Sequence, residues 1–337
     1  PSDESDAAFT LTGLQTAEIT FIIDDSQFQE LTDCLLMGSW DANGFYDPSW
    51  SSGEQQMYDD GTNGDAVAGD HLWTLQLNLV VDFGANVWNW GAVDSPGGSW
   101  LIEGANQEFT LPDTSPQTLT YVREGYETPC TGVSWTLDDL VANSGGIVTG
   151  TFPDYVTQQT IVVCANDELT IPAGSTLKFE KGELRVDGTL IVAGDSANVV
   201  TFTSNAATPA PDDWGTLHFR PGSGGEIKYA HVEYSHNGLW CDGGGPSQVL
   251  RSTFTDMNND GLLIVNFSPG TFEYNQISNS GWSGIALINS SATFRHNTIT
   301  LAGQNGFYVS GSSNTSIDSN IVSSSNFDGI HVVNASP

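Results

Sequence analysis

The sequence predicts an all-β chain, a β-sandwich followed by a right-handed parallel β-helix whose coils recur about every 22–23 positions. Three observations predict it. Gly215, Gly238, Gly261, Gly284, Gly306 and Gly329 fall at spacings of 23, 23, 23, 22 and 23; so regular a period means one unit repeated and stacked. After each of the last five glycines, the first and third positions are apolar: Leu239 and Cys241, Leu262 and Ile264, Ile285 and Leu287, Phe307 and Val309, Ile330 and Val332. Between them stand Trp240, Leu263, Ala286, Tyr308 and His331. Inward, outward, inward is the period of a strand. The third observation is that residues 8–123 follow a different pattern, of alternating strands without a repeat.

A second register fixes the coil. Ile227, Val249, Phe272, Phe294 and Ile317 form one apolar column, and Val232, Phe254, Ile277, Ile299 and Val322 another. Between them runs a column of small or amide residues, Ala230, Ser252, Asn275, Asn297 and Asn320. Like side chains about 4.8 Å apart can pass hydrogen bonds along a ladder. Three short strands and three turns per coil result. Asn266, Asn289, Asn314 and Asn334 lie in N-x-S/T sequons; three of them share one turn column, where asparagine suits left-handed backbone.

The phrases "CANDELTIPAGSTLKFEKGELRVDGTLIVAGDSANVVTFTSN" and "DDWGTLHFR", within residues 164–220, resemble the first coils of bacterial secreted and surface right-handed parallel β-helix repeat proteins. The resemblance covers about residues 128–337 and implies architecture, not activity. A β-helix domain is therefore expected over 126–337. Its sequence stops partway through a coil at Val333–Pro337, so the coil is expected to continue, or to be capped by a partner, beyond 337.

In the first domain, over 1–125, Ile19, Phe21 and Ile23 alternate on one strand, and Trp73, Leu75, Leu77 and Leu79 on another. Further strands are predicted around 34–38, 86–91, 107–111 and 118–122, which suggests a sandwich. The segments "LMGSWDANG" and "NVWNWGAVDSPGGSWLIEGANQEFTL" resemble the immunoglobulin-like starch- and glycogen-binding modules. That resemblance implies sugar contact by Trp40, Trp88, Asn89, Trp100 and Asn106, although Asn89 stands where those modules carry lysine. Within "DDGTNGDAVAGD", Asp59, Asp60, Asn63, Asp65 and Asp70 are candidate Ca²⁺ ligands, since a hard cation needs six to eight oxygens. The competing reading is a solvated acidic turn.

Forty-one acidic residues against eight basic ones leave a net charge of −33. That excludes non-specific nucleic-acid binding, which displaces counterions with Lys and Arg. No stretch is long and apolar enough for membrane insertion. The composition points to an extracellular or cell-surface setting. Cys130 and Cys164 flank the segment leading into the β-helix and are expected to form a disulfide contributing roughly 3 kcal/mol. Cys34 and Cys241 read as buried fillers.

For catalysis, the basic residues of the β-helix share no face column with aspartate as read from the spacing, and its carboxylates form no evident pair for hydrolysis. Asp260 and Asp328, with Asn237, Ser283 and Asn305, read as solvated turn residues. The outward column containing Trp240, Leu263, Tyr308 and His331 is a candidate contact face. The expectation is a non-enzymatic extracellular or cell-surface structural or adhesive protein that self-associates as a filament, sheath or stalk subunit, with carbohydrate (polysaccharide) and Ca²⁺ as ligands. The alternative is a secreted polysaccharide lyase or hydrolase with an N-terminal carbohydrate-binding module.

Overall fold

The computed structural model describes residues 14–29, 31–94, 101–102, 106–123, 125–267 and 270–335. The chain divides into two compact units, residues 1–123 and 124–337. Among the described residues no helix is long and apolar enough to cross a membrane.

The first unit holds two sheets. Thr16–Asp24 pairs antiparallel with Leu72–Val80 and parallel with Gln117–Val122. Cys34–Gly38 pairs antiparallel with Gln55–Gln56 and with Trp88–Asp94, which also pairs with Gln107–Phe109. The alternation seen in the sequence decides the core: Ile19, Phe21 and Ile23 are buried against Trp40, Trp88, Trp90 and Phe109. Phe21 meets Trp90 edge-on, with ring centroids 5.2 Å apart, a geometry the ring quadrupoles favour. Asp25, fully buried, pairs with Arg123 and accepts the Leu31 amide, so its charge is compensated.

The second unit is a parallel β-solenoid with three strands to each coil. One coil runs through Gln248–Leu250, Thr253–Met257 and Leu262–Val265, and the next through Thr271–Glu273, Gln276–Ser280 and Ile285–Ile288. Strands in the same position stack in parallel, and among the described residues they form three sheets of eight, nine and nine strands, the second beginning with one antiparallel pair, Val148–Thr151 with Asp154–Thr157. We call them the first, second and third sheets, in their order along a coil. The columns Leu239–Leu262–Ile285–Phe307 and Cys241–Ile264–Leu287–Val309 point inward and are fully buried. Phe272 stacks on Phe294 at 4.7 Å.

Steric fit, not backbone twist, requires glycine at Gly215, Gly238, Gly261, Gly284 and Gly306. A Cβ at Gly261 would lie 2.3 Å from Ile277 Cγ2 and 2.6 Å from the Gly284 carbonyl oxygen. At Gly284 it would meet Ile299 Cγ2 at 2.3 Å. These are closer approaches than a packed interior tolerates.

The turn between first and second sheets carries the amide ladder. Asn275 Nδ2 donates to the Val249 carbonyl, Asn297 Nδ2 to that of Phe272, and Asn320 Nδ2 to that of Phe294, at 2.9–3.0 Å. Each Oδ1 accepts the backbone amide of the coil before: Ser252 to Asn275, Asn275 to Asn297, Asn297 to Asn320. The residues ahead of the ladder, Arg251, Tyr274 and His296, have φ of 51–57°, so the ladder holds bulky residues in left-handed backbone. Asn266, Asn289 and Asn334 share that backbone, with φ of 50–54°.

Two features depart from expectation. Asn237, Asp260, Ser283 and Asn305 are buried, not solvated, because their side chains also form a ladder: Asn237 Oδ1 accepts the Asp260 amide, and Asp260 Oδ1 the Ser283 amide. Burial lifts the Asp260 carboxyl to about 6, against the opposing effects of the Ser283 amide and His236. The second departure is a helix, Leu137–Asn143, that supplies Leu137 and Leu140 to the solenoid core. Thr136 and Asp139 form its capping box.

Candidate functional site

The outer face of the third sheet gathers a polar cluster around His218. Pairing places Val162, Arg185, His218, Trp240, Leu263, Ala286, Tyr308 and His331 in one outward column. The His218 ring stacks flat on Trp240, 4.1 Å between centroids and 3° between planes. His218 Nδ1 lies 3.2 Å from Glu183 Oε1. Arg185 donates through Nε and Nη2 to Asp187 Oδ2, at 3.0 and 2.7 Å. Arg220 Nη1 stands 3.8 Å from Asp242.

Arg220 follows Phe219, which pairs with Val186 and Cys241, so it occupies the column of Asp187 and Asp242. The expectation that no basic residue shares a column with aspartate is therefore corrected. Burial pushes the Glu183 carboxyl upward, but His218, Arg185 and Arg220 outweigh it and hold the pKa below the ordinary glutamate value. It is held as a carboxylate. Thr216 Oγ1, His218 Nε2 and Trp240 Nε1 are buried without a hydrogen-bond partner among the described residues. Buried polar atoms normally have one.

The column expected as a contact face, Trp240, Leu263, Tyr308 and His331, is half-buried along its length. Tyr308 and His331 stack at 5.9 Å.

In the first unit, carboxylate oxygens of Asp59, Asp65 and Asp70 lie within 4.8 Å of one another. Loop amides surround them: Gly69, Asp70 and His71 donate to Asp59, Gly61 and Val67 to Asp65, and Leu72 to Asp70. Asp60 is turned to the Thr62 amide and hydroxyl, and the Asn63 side chain to the same hydroxyl. Three of the five expected ligands are thus brought together.

The residues expected to contact sugar lie elsewhere. Trp40 is 1% exposed and Trp88 fully buried, their indole N–H groups donating to Gln55 and Asp82. Neither ring has a face at the surface to stack on a pyranose, so that expectation is corrected for both: the alternating pattern turned them into the core. Asn89 is half-buried, and Asn106 is exposed. Trp100 lies outside the described residues.

Cys130 and Cys164 form a disulfide. Glu127 adjoins them, but the bonded sulfurs leave no thiolate to bind a metal. Cys34 and Cys241 are buried, and burial pushes both thiols well above their ordinary value.

Residues 188–337 match the family described as right handed beta helix region. No curated protein matches the chain.

Proposed function

We propose that the chain is a non-enzymatic structural or adhesive protein of the extracellular space or cell surface, of the kind bacteria display, which self-associates into filaments, sheaths or stalks. The carrying observation is the solenoid's unbroken hydrogen-bonded register, with both buried polar ladders running along its axis. Such a rod resists bending, and its repeat offers the same backbone ladder to a further coil or a second copy. The disulfide and the net charge of −33 suit an oxidising, ion-rich exterior. The first unit serves as an immunoglobulin-like binding or packing module.

Electron microscopy of native protein at near-neutral pH with Ca²⁺ tests this reading. Ordered fibres, tubes or sheets are expected; dispersed particles at every concentration would remove the assembly claim. A second reading, a secreted polysaccharide lyase or hydrolase, is favoured by Glu183 and His218 beside Arg185, Arg220 and the Trp240 ring. It requires dispersed particles that shorten a polysaccharide, and loss of that activity in Glu183→Gln.

We further propose Ca²⁺ as the ligand of Asp59, Asp65 and Asp70, whose clustered oxygens repel one another until a cation joins them. Free Ca²⁺ about a hundredfold above Kd should add about 2.7 kcal/mol to the stability of the first unit. Calorimetry should show binding heat and a higher Tm, both removed by chelator and by Asp65→Asn. No heat and an unchanged Tm would make the loop a turn alone.

A further inference from the structure

The turn from the second to the third sheet carries a column, exposed at its aromatic positions and half-buried at its amides, that neither reading uses. The Asn259 N–H donates to the His236 carbonyl, Trp282 to Asn259, Gln304 to Trp282, and Phe327 to Gln304, at 2.7–3.0 Å. Five successive coils therefore present, in one hydrogen-bonded line, an aromatic, an amide, an aromatic, an amide and an aromatic. Trp282 is 56% exposed and Phe327 71%; His236 is exposed as well. The position before Trp282 is Gly281 and that before Gln304 is Gly303, so no side chain at those positions screens the indole.

The amides on this line differ from their neighbours. Asn279 donates to Asp256, Asn289 to Asn266 and Asn326 to the Gly303 carbonyl. The side chains of Asn259 and Gln304 have no hydrogen-bond partner among the described residues. Each keeps two donors and an acceptor for a ligand. His236 is held by Asp212, which accepts from Nδ1 at 2.7 Å and directs Nε2 away from that partner.

We infer that this line is a binding ridge for a neutral polysaccharide lying along the solenoid axis. An indole face is electron-rich and packs against the C–H face of a pyranose, while free amides exchange hydrogen bonds with its hydroxyls. Coils rise about 4.8 Å each, so the aromatics recur at about 10 Å with an amide midway. That suits an extended glycan in which every second ring stacks and the ring between is held by hydroxyl contacts. The ridge carries no charge of its own beyond the His236–Asp212 pair, and a chain of net charge −33 repels polyanions. A neutral glycan meets neither obstacle. The inference is independent of self-assembly and of catalysis at Glu183, and it survives the failure of either.

Native gel electrophoresis through hydroxyethyl cellulose, galactomannan or polygalacturonate tests it with four proteins: the parent, Trp282→Ala, Gln304→Ala and Leu301→Ala. Leu301 is equally exposed, at 54%, but lies off the line. All four should melt alike, because Trp282 and Leu301 are exposed and the half-buried Gln304 side chain makes no hydrogen bond that its loss would break among the described residues. The parent should be retarded by at least one of the two neutral polymers, independently of salt. Trp282→Ala should weaken that retardation at least about tenfold, Gln304→Ala by less, and Leu301→Ala not at all. Retardation by neither neutral polymer, retardation by polygalacturonate alone, or equal retardation of Trp282→Ala and the parent would each overturn the inference.

Discussion

Asn297→Ala is expected to cost the solenoid about 3 kcal/mol and lower its Tm by roughly 6–12 °C. Asn297 is fully buried, and its side chain makes four hydrogen bonds. Oδ1 accepts the Asn275 amide and Nδ2, both at 3.0 Å, and Nδ2 donates to the Phe272 carbonyl and to Asn320 Oδ1, both at 2.9 Å. Alanine leaves these groups without partners in a place water cannot reach, and each such group costs about 1–3 kcal/mol. The neighbours can offset part of the loss by pairing along the ladder.

Asn320→Ala is the internal comparison. Asn320 is half-buried, so water can replace part of what is lost, and a smaller fall in Tm is expected. Asn297→Asp keeps the acceptor but removes both donors and buries a charge, so it should do no better than alanine at neutral pH. Scanning calorimetry reads all three. A Tm for Asn297→Ala within a degree or so of the parent would show that the ladder decorates the turn and does not hold it.

The solenoid was legible in the sequence because its physics is periodic. Inward columns such as Leu239–Leu262–Ile285 recur once in every coil, and the asparagine column announces its ladder by identity alone. The polar cluster on the third sheet was hidden for the opposite reason. Leu184 pairs with Leu217, and Leu217 in turn with Leu239, but the first step along the chain is half as long again as the second. The long connection around Asn205–Asp213 breaks the period where Glu183, Arg185 and His218 must be aligned. The helix Leu137–Asn143 did leave a signal, the Thr136/Asp139 capping box ahead of an apolar run.

Burial misled twice. Trp40 and Trp88 share with sugar-binding tryptophans only their residue type; which way a strand faces is decided by the opposing sheet. Asp260 resembles a solvated turn residue, yet the coils above and below close over it. A third feature, the Asp59, Asp65 and Asp70 cluster, was legible because Gly61, Gly64 and Gly69 have positive φ and allow so tight a loop.

Removing the Cys130–Cys164 bond, by Cys130→Ser with Cys164→Ser or by reduction of the parent, is expected to destabilise the second unit by about 3–4 kcal/mol. The bond closes a loop with a sequence separation of 34, and loop-closure entropy of that length sets the magnitude. Asp167 organises the same segment. Fully buried, it accepts the amides of Cys130, Gly132 and Val133 at 3.1, 2.7 and 3.2 Å. Burial pushes its carboxyl upward, but the Thr128 hydroxyl and those amides outweigh burial and hold the pKa below the ordinary aspartate value. A depressed pKa means that the stabilisation is complete above the unfolded-state pKa of about 4 and is lost as pH falls through the folded value. Asp167→Asn should therefore be less stable than the parent at neutral pH, and the gap should narrow below about pH 4. Denaturation of the parent, the double serine variant and Asp167→Asn across that range separates the two contributions, since the disulfide itself does not titrate. Loss of the disulfide with no change in Tm would mean that the amides around Asp167 hold the segment unaided. A gap for Asp167→Asn that stayed constant from neutral to acid pH would mean that its charge contributes nothing.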